Sequence, residues 1–274
     1  MKSILLTVFT IVICLNYQAA IITSTAAGGL WSVGGTWVGG VAPLAGDDVR
    51  IANGASVTLD GNFSCLSLNL LTGNFTSIVD LAGFSLSVSG SITITASVTN
   101  GIDKIINVGS GTLNGASLSM TTSGHNTRDC IVQISSGTVN ISGNISMPSV
   151  FARHHIDFTG NGTVNVGGNV TTLGGFTPFA GCTVHYNGAG NQTCGGAYNY
   201  ANLIISGGGT KTISGATSIS EDLTLQNTAI LDISVAVTVG ETVLDEPFGN
   251  PLSQSKVRAP TPPLAEALTV ADCP

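Results

Sequence analysis

Three stretches of this chain align with one another without a gap, and that periodicity restricts the fold more than any other feature. Ile105–Ser119 (IINVGSGTLNGASLS), Ile131–Ile145 (IVQISSGTVNISGNI) and Ile156–Val170 (IDFTGNGTVNVGGNV) each run through apolar residues into a Gly-Thr-Val/Leu-Asn phrase. The shared glycines are Gly111, Gly137 and Gly162, so the step is 26 residues and then 25. Related phrases flank them at Phe84–Thr95 and Gly209–Leu225. Within each phrase apolar residues alternate with Ser, Thr and Asn, as in strands with one buried face. Gly-Asn, Ser-Gly and Gly-Gly pairs punctuate the strands and allow sharp corners.

A unit of about 25 residues with two or three short strands cannot enclose a core of its own, but it can when stacked on its neighbours. The expected fold is therefore all-β, a right-handed parallel β-helix (β-solenoid) with an N-terminal cap. A β-sandwich would also alternate, yet it would not need near-identical phrases at a constant step. Composition agrees: charged residues are 8 %, aromatics 5 % and Gly 36 of 274, with a mean hydropathy of +0.41. Such a mix suits short strands and tight turns and is unlike a disordered chain.

Met1-Lys2 and the apolar run Ile4–Leu15 read as a secretory signal over residues 1–20, too short to span a membrane. Cys14 does not make this a lipoprotein signal, because Ile13 stands where a small residue is needed. The expected location is secreted or cell-surface, with no transmembrane segment. A net charge of −7 without any Lys/Arg cluster argues against nucleic acid as a partner. Beyond the signal, Cys65, Cys130, Cys182, Cys194 and Cys273 leave an odd count; Cys182 and Cys194 could pair, while Cys65 and Cys130 read as small buried residues. None has metal-ligand spacing, and no cofactor is expected.

Residues 28–62 differ from the repeats. They hold Trp31 and Trp37, the only two tryptophans, with Pro43 and a Gly46-Asp47-Asp48 turn, and read as a cap over the first coil. Residues 63–240 form the coils. Residues 241–274 hold six of the nine prolines, lose the alternation and read as an irregular tail.

The run Trp31, Thr36, Trp37, Gly39, Gly40, Pro43, Gly46, Asp47, Asp48, Val49, Ile51, Val57, Thr58, Leu59 and Asp60 resembles the start of the G8 domain. It resembles still more the N-terminal region of large secreted β-helical surface proteins of Bacteroidetes-type bacteria, in which Cys65-Leu66-Ser67-Leu68 has a counterpart. Val184–Ser214 is similar to another phrase of those proteins. The resemblance implies a surface or adhesin-like role, often with glycan contact, and brings no catalytic residues. Such proteins are usually longer and end in a sorting domain that is not found here.

Candidate site residues are few. Eight positions before the shared glycines stand Asp103, Asp129 and His154, with His155 next in line, Arg128 and Arg153 just before, and Asp157 nearby. Stacked in that register they would form one corner patch. Paired acids and a base on adjacent coils could protonate a leaving oxygen and activate water on a polysaccharide. The plainer reading is a solvated corner of weak surface pairs. Asp47, Asp48 and Asp60 offer oxygen ligands for Ca²⁺, against a turn in which Asp caps backbone amides. His185 beside Tyr186 reads as a strand-edge residue. Thr93/Thr95 and Thr210/Thr212 raise ice binding, although the spacing does not recur in every coil. Phosphate-loop, nucleophile-elbow and zinc-protease motifs are absent.

The expected function is a non-catalytic, structural or adhesive surface module contacting extracellular glycans or other surface proteins. A polysaccharide hydrolase or lyase, or a carbohydrate-binding β-helix, is the second reading, and ice binding the third.

Overall fold

The computed structural model describes residues 19–122, 129–149, 153–195, 198–233, 235–241, 243–246, 256–258 and 268–270. The expected signal (1–20) thus falls almost wholly outside the described residues. What they form is a parallel β-solenoid, with no α-helix among them. A representative turn has three strands, Thr138–Ile141, Ile145–Met147 and His154–Phe158. The first two kinds of strand stack into one 14-stranded sheet, and the third kind into a seven-stranded sheet. In later turns, two four-stranded sheets hold the second and third strands.

Alternation decides which side chains face inward. Thr138–Ile141 buries Val139 and Ile141 and turns Thr138 and Asn140 out, and its neighbours Thr112–Gly115 and Thr163–Val166 do the same in register. The core is a set of aliphatic columns, such as Val79, Ile106, Val132, Ile156 and Phe176. Each fully buried side chain of this size contributes ~1.5–3 kcal/mol. The shared glycines are explained by contact: a β-carbon on Gly137 would lie 2.3 Å from the Gly111 carbonyl oxygen, and one on Gly162 would lie 2.4 Å from Ile134 Cγ2.

The step is not constant along the whole chain. Residues stacked on one another are 27, 26 and 25 positions apart at Ser87–Asn114, Asn114–Asn140 and Asn140–Asn165, but only 20 apart at Asn165–His185. Long turns insert a connecting segment between their second and third strands, whereas Ile213 reaches Thr217 through Ser214, Gly215 and Ala216 alone. Phe176, Tyr198 and Tyr200 fill the interior at the change, with Tyr198 edge-on to both other rings. The Tyr186 and Tyr200 hydroxyls both donate to the Cys194 carbonyl, at 3.1 and 3.0 Å.

At the first turns Trp31 and Trp37 are buried and meet edge to face at 5.1 Å, and Phe63 stacks on Trp31 at 5.7 Å. The Trp37 indole N–H donates to the Trp31 carbonyl at 2.7 Å. The segment 241–274, expected as an irregular tail, adds three strands where it is described. Val243–Glu246, Lys256–Arg258 and Leu268–Val270 each pair in parallel with the turn before them. Cys65, Cys130, Cys182 and Cys194 are all free and buried, so the pairing considered for Cys182 and Cys194 is not made.

Candidate functional site

The corner expected to align Asp103, Asp129 and His154 has a different register. Cys130 stands opposite Lys104 on one side and His154 on the other, so these three form a buried column with Ser77. Asp129 is therefore followed along the axis by Arg153, not His154. The cause is local. Between Phe158 and Gly162 the chain spends one residue more than between Ile134 and Gly137, which shifts the third strand by one position against the shared glycines.

His154 is fully buried, accepts the Ser149 N–H at Nδ1 over 3.3 Å, and has its pKa lowered to about 4 by burial and by His155. Asp103, Asp129, Arg153, His155 and Asp157 remain together on the outer side of this sheet, half-buried. Arg153 approaches Asp129 to 4.0 Å. Burial, then the neighbouring Asp103, raise the Asp129 pKa, with His155 and Arg153 opposing. Arg128 lies outside the described residues.

The acids considered for Ca²⁺ are engaged separately. Asp47 is buried and accepts the Ala20 and Leu44 N–H groups at 3.2 and 2.8 Å. Asp48 accepts the Ser67 hydroxyl at 2.5 Å, and Asp60 binds both the hydroxyl and the N–H of Ser32, which lowers its pKa. Among the described residues no three His, Cys, Asp or Glu side chains are grouped so as to hold a metal ion.

An extended concave feature lies on another side, at the corner between first and second strands. It is a groove of about 810 Å³ running along the axis from the turn of Ala45 to that of Gly188 and Ala189. At ~4.8 Å per turn this is roughly 29 Å long. One wall is a ladder of outward side chains, Ser87, Asn114, Asn140 and Asn165. Each asparagine amide donates to the turn before it: Asn114 to Ser87 at 3.1 Å, Asn140 to Asn114 at 2.8 Å and Asn165 to Asn140 at 2.8 Å. The floor is made of small residues, including Gly115, Ala116, Ser142 and Gly167. Among the described residues no charged or aromatic side chain lines the groove. An amide has two N–H donors and two acceptor lone pairs, so each rung retains a donor and an acceptor for a ligand.

The ladder stops at His185. The next turn places Ile204 at the equivalent position, and His185 reaches sideways to Ser206 instead. Its Nδ1 meets Asn165 Oδ1 at 3.1 Å and its Nε2 meets Ser206 Oγ at 2.6 Å.

The chain matches no family model, no curated protein and no solved structure. Among the described residues no helix is long and apolar enough to cross a membrane. The groove residues were within reach of the sequence, since Asn114, Asn140 and Asn165 share one place in the repeated phrase. Nothing in the sequence marked that place as the wall of a groove.

Proposed function

We propose that this protein is an exported surface or matrix module that holds a linear, uncharged glycan along the asparagine groove. The observation that carries the reading is the ladder itself: identical amide groups repeated once per turn beside an elongated, uncharged channel. A polymer of hydroxylated units meets such a wall with matching donors and acceptors. A polyanion would be disfavoured, because the groove offers no cation and the chain carries a net charge of −7. Secretion rests on the N-terminal apolar run, and the adhesive role on the resemblance of Trp31–Asp60 to secreted surface proteins.

The test is retention of the protein by neutral polysaccharides such as xylans and mannans, compared with pectate and alginate. Binding should persist in salt, and Asn140→Ala should weaken it about 3- to 10-fold, the value of one or two net hydrogen bonds. A correctly folded protein that ignores every neutral glycan, or prefers the polyanions, would overturn the reading.

A second reading, glycan cleavage at the outer corner, is favoured by one observation. Asp129, whose pKa is raised by burial and then by the neighbouring Asp103, stands with Asp103, Arg153 and His155 on one outer face, and such a carboxyl suits a general acid. Release of reducing ends that disappears in Asp129→Asn would establish it.

A further inference from the structure

We propose that Ser206 is the nucleophile of an ester-cleaving site at the C-terminal end of the groove, with His185 as its general base and Asn165 as the residue that orients the base. The substrate class is a neutral glycan carrying O-acyl groups, so the choice of polymer rests on the glycan reading, while the nucleophile itself does not.

The ladder fixes the protonation of His185. Asn165 spends its amide N–H on Asn140 Oδ1 at 2.8 Å, which leaves its Oδ1 facing His185 Nδ1 at 3.1 Å. An oxygen there needs a donor, so Nδ1 carries the proton and Nε2 keeps its lone pair. That lone pair receives the Ser206 hydroxyl at 2.6 Å. Nucleophile, base and orienting group thus stand in one hydrogen-bonded chain across three successive turns, the arrangement that activates a serine. Burial lowers the His185 pKa, which keeps the ring neutral and basic at neutral pH.

Two further features suit the chemistry. Ser206 is buried and stands one turn past the last residues of the groove: its N–H donates to the Tyr186 carbonyl one turn earlier, and Asn187 and Gly188, which line the groove, are the residues beneath it. Immediately after it come Gly207, Gly208 and Gly209, of which Gly207 and Gly209 have φ of +76° and +71°. The N–H groups of Gly207 and Gly208 donate to nothing among the described residues. The N–H following a nucleophilic serine is a recurrent oxyanion donor, and alternating backbone signs of this kind aim successive N–H groups into one concavity. The turn is held in place by Lys211, fully buried, whose ammonium donates to the carbonyls of Gly188, Gly190 and Gly208 at 2.7, 2.7 and 2.8 Å. Donors fixed in advance are what stabilise a developing oxyanion.

In the reaction Ser206 Oγ attacks the ester carbonyl while its proton passes to His185 Nε2. The carbonyl π electrons move to oxygen, where the Gly207 and Gly208 N–H groups receive them. Collapse breaks the acyl–oxygen bond to the sugar, and that oxygen takes the proton from His185. Water then attacks the acyl-serine, giving up a proton through His185, to release the carboxylic acid and restore Ser206. Ester and water become alcohol and acid, with no other reactant.

The experiment treats the full chain with a fluorophosphonate and maps the adduct by peptide mass spectrometry, alongside acetate release from an O-acetylated neutral glycan. Ser206 should be phosphonylated. Ser206→Ala should abolish both readouts, and His185→Gln should slow them at least ~100-fold, with circular dichroism melts showing both variants folded. Labelling should fall off only on the acid side of the ordinary histidine range, because burial lowers the His185 pKa. Asn140→Ala, which removes both a rung of the groove and the acceptor that orients Asn165, should weaken glycan binding and slow phosphonylation together. A folded protein whose Ser206 stays unlabelled, or acetate release that survives Ser206→Ala, overturns the proposal. Glycan binding without labelling would leave the groove reading standing, and labelling without glycan binding would remove the polymer but keep the nucleophile.

Discussion

Gly137 sits so close to Gly111 that a β-carbon at position 137 would stand 2.3 Å from the Gly111 carbonyl oxygen and 2.8 Å from that of Gly109. Both neighbours are backbone, so neither can rotate aside. Gly137→Ala should therefore cost about 1–3 kcal/mol in urea unfolding, the range for overpacking a tight interior. Gly35→Ala, where nothing lies within 4 Å, should be close to neutral. Equal stability of the two variants would contradict the stacking register.

Lys104 is the counterpart of Lys211 near the other end of the solenoid. It is fully buried and donates to Asn53 Oδ1, the Phe75 carbonyl and Ser77 Oγ at 3.0, 2.6 and 2.9 Å. Lys104→Met keeps the aliphatic stem, and Asn53 Oδ1 and Ser77 Oγ still accept the Phe75 and Gly54 N–H groups, so the Phe75 carbonyl is the acceptor left unsatisfied, at ~1–3 kcal/mol. A loss of about 1–3 kcal/mol is expected. In a double-mutant cycle with Ser77→Ala, a coupling energy of at least ~0.5 kcal/mol should appear, since the two groups touch.

His154 should make the protein acid-sensitive. Its pKa is about 4 in the folded chain against an ordinary 6.5, so below pH 6.5 the unfolded chain binds the proton more readily. The stability contributed by the neutral ring is complete above pH 6.5 and is lost as pH falls toward 4, up to about 3 kcal/mol at one pKa unit per 1.36 kcal/mol. His154→Gln, which retains an acceptor for the Ser149 N–H, should flatten the profile of denaturation midpoint against pH across that window.

The four described cysteines should behave as inert core residues. Burial pushes the Cys65, Cys130 and Cys194 thiols up to about 12, and Cys182 is raised as well. Because the thiolate is the reacting form, iodoacetamide at pH 8 should modify none of the four in the folded protein and all of them in urea. Rapid alkylation of native Cys182 or Cys194 would show that this region is not packed as found.

The fold was legible because its cause is local and repeated. A glycine where two backbones touch, and an apolar residue at every second position, both recur visibly as Gly111, Gly137 and Gly162 with Leu113, Val139 and Val164. What could not be read was register away from those glycines. Counting back from them placed His154 beside Asp103 and Asp129, whereas the longer passage at Thr159–Asn161 moves it to a buried column and sets Arg153 in its place. The contact of His185 with Ser206 was hidden for a related reason. It depends on the turn shortening to 20 residues after Asn165, a change no repeated phrase announces. The tail misled through its prolines, since Val243–Glu246 pairs with Leu223–Gln226 regardless.

The change of turn length also gives the molecule two gauges of building block. Turns of the longer gauge, such as the one from Asn140 to Asn165, share their register with their neighbours, so one could be duplicated whole. The channel would grow by a single ~4.8 Å step, while the shorter blocks beyond Thr183 would be displaced as a rigid unit. The same insertion among the shorter blocks would set mismatched strands against each other. Reach along a polymer is thus a quantity that this architecture can change in whole increments, while the junction of His185 with Ser206 travels unchanged at the end of the row.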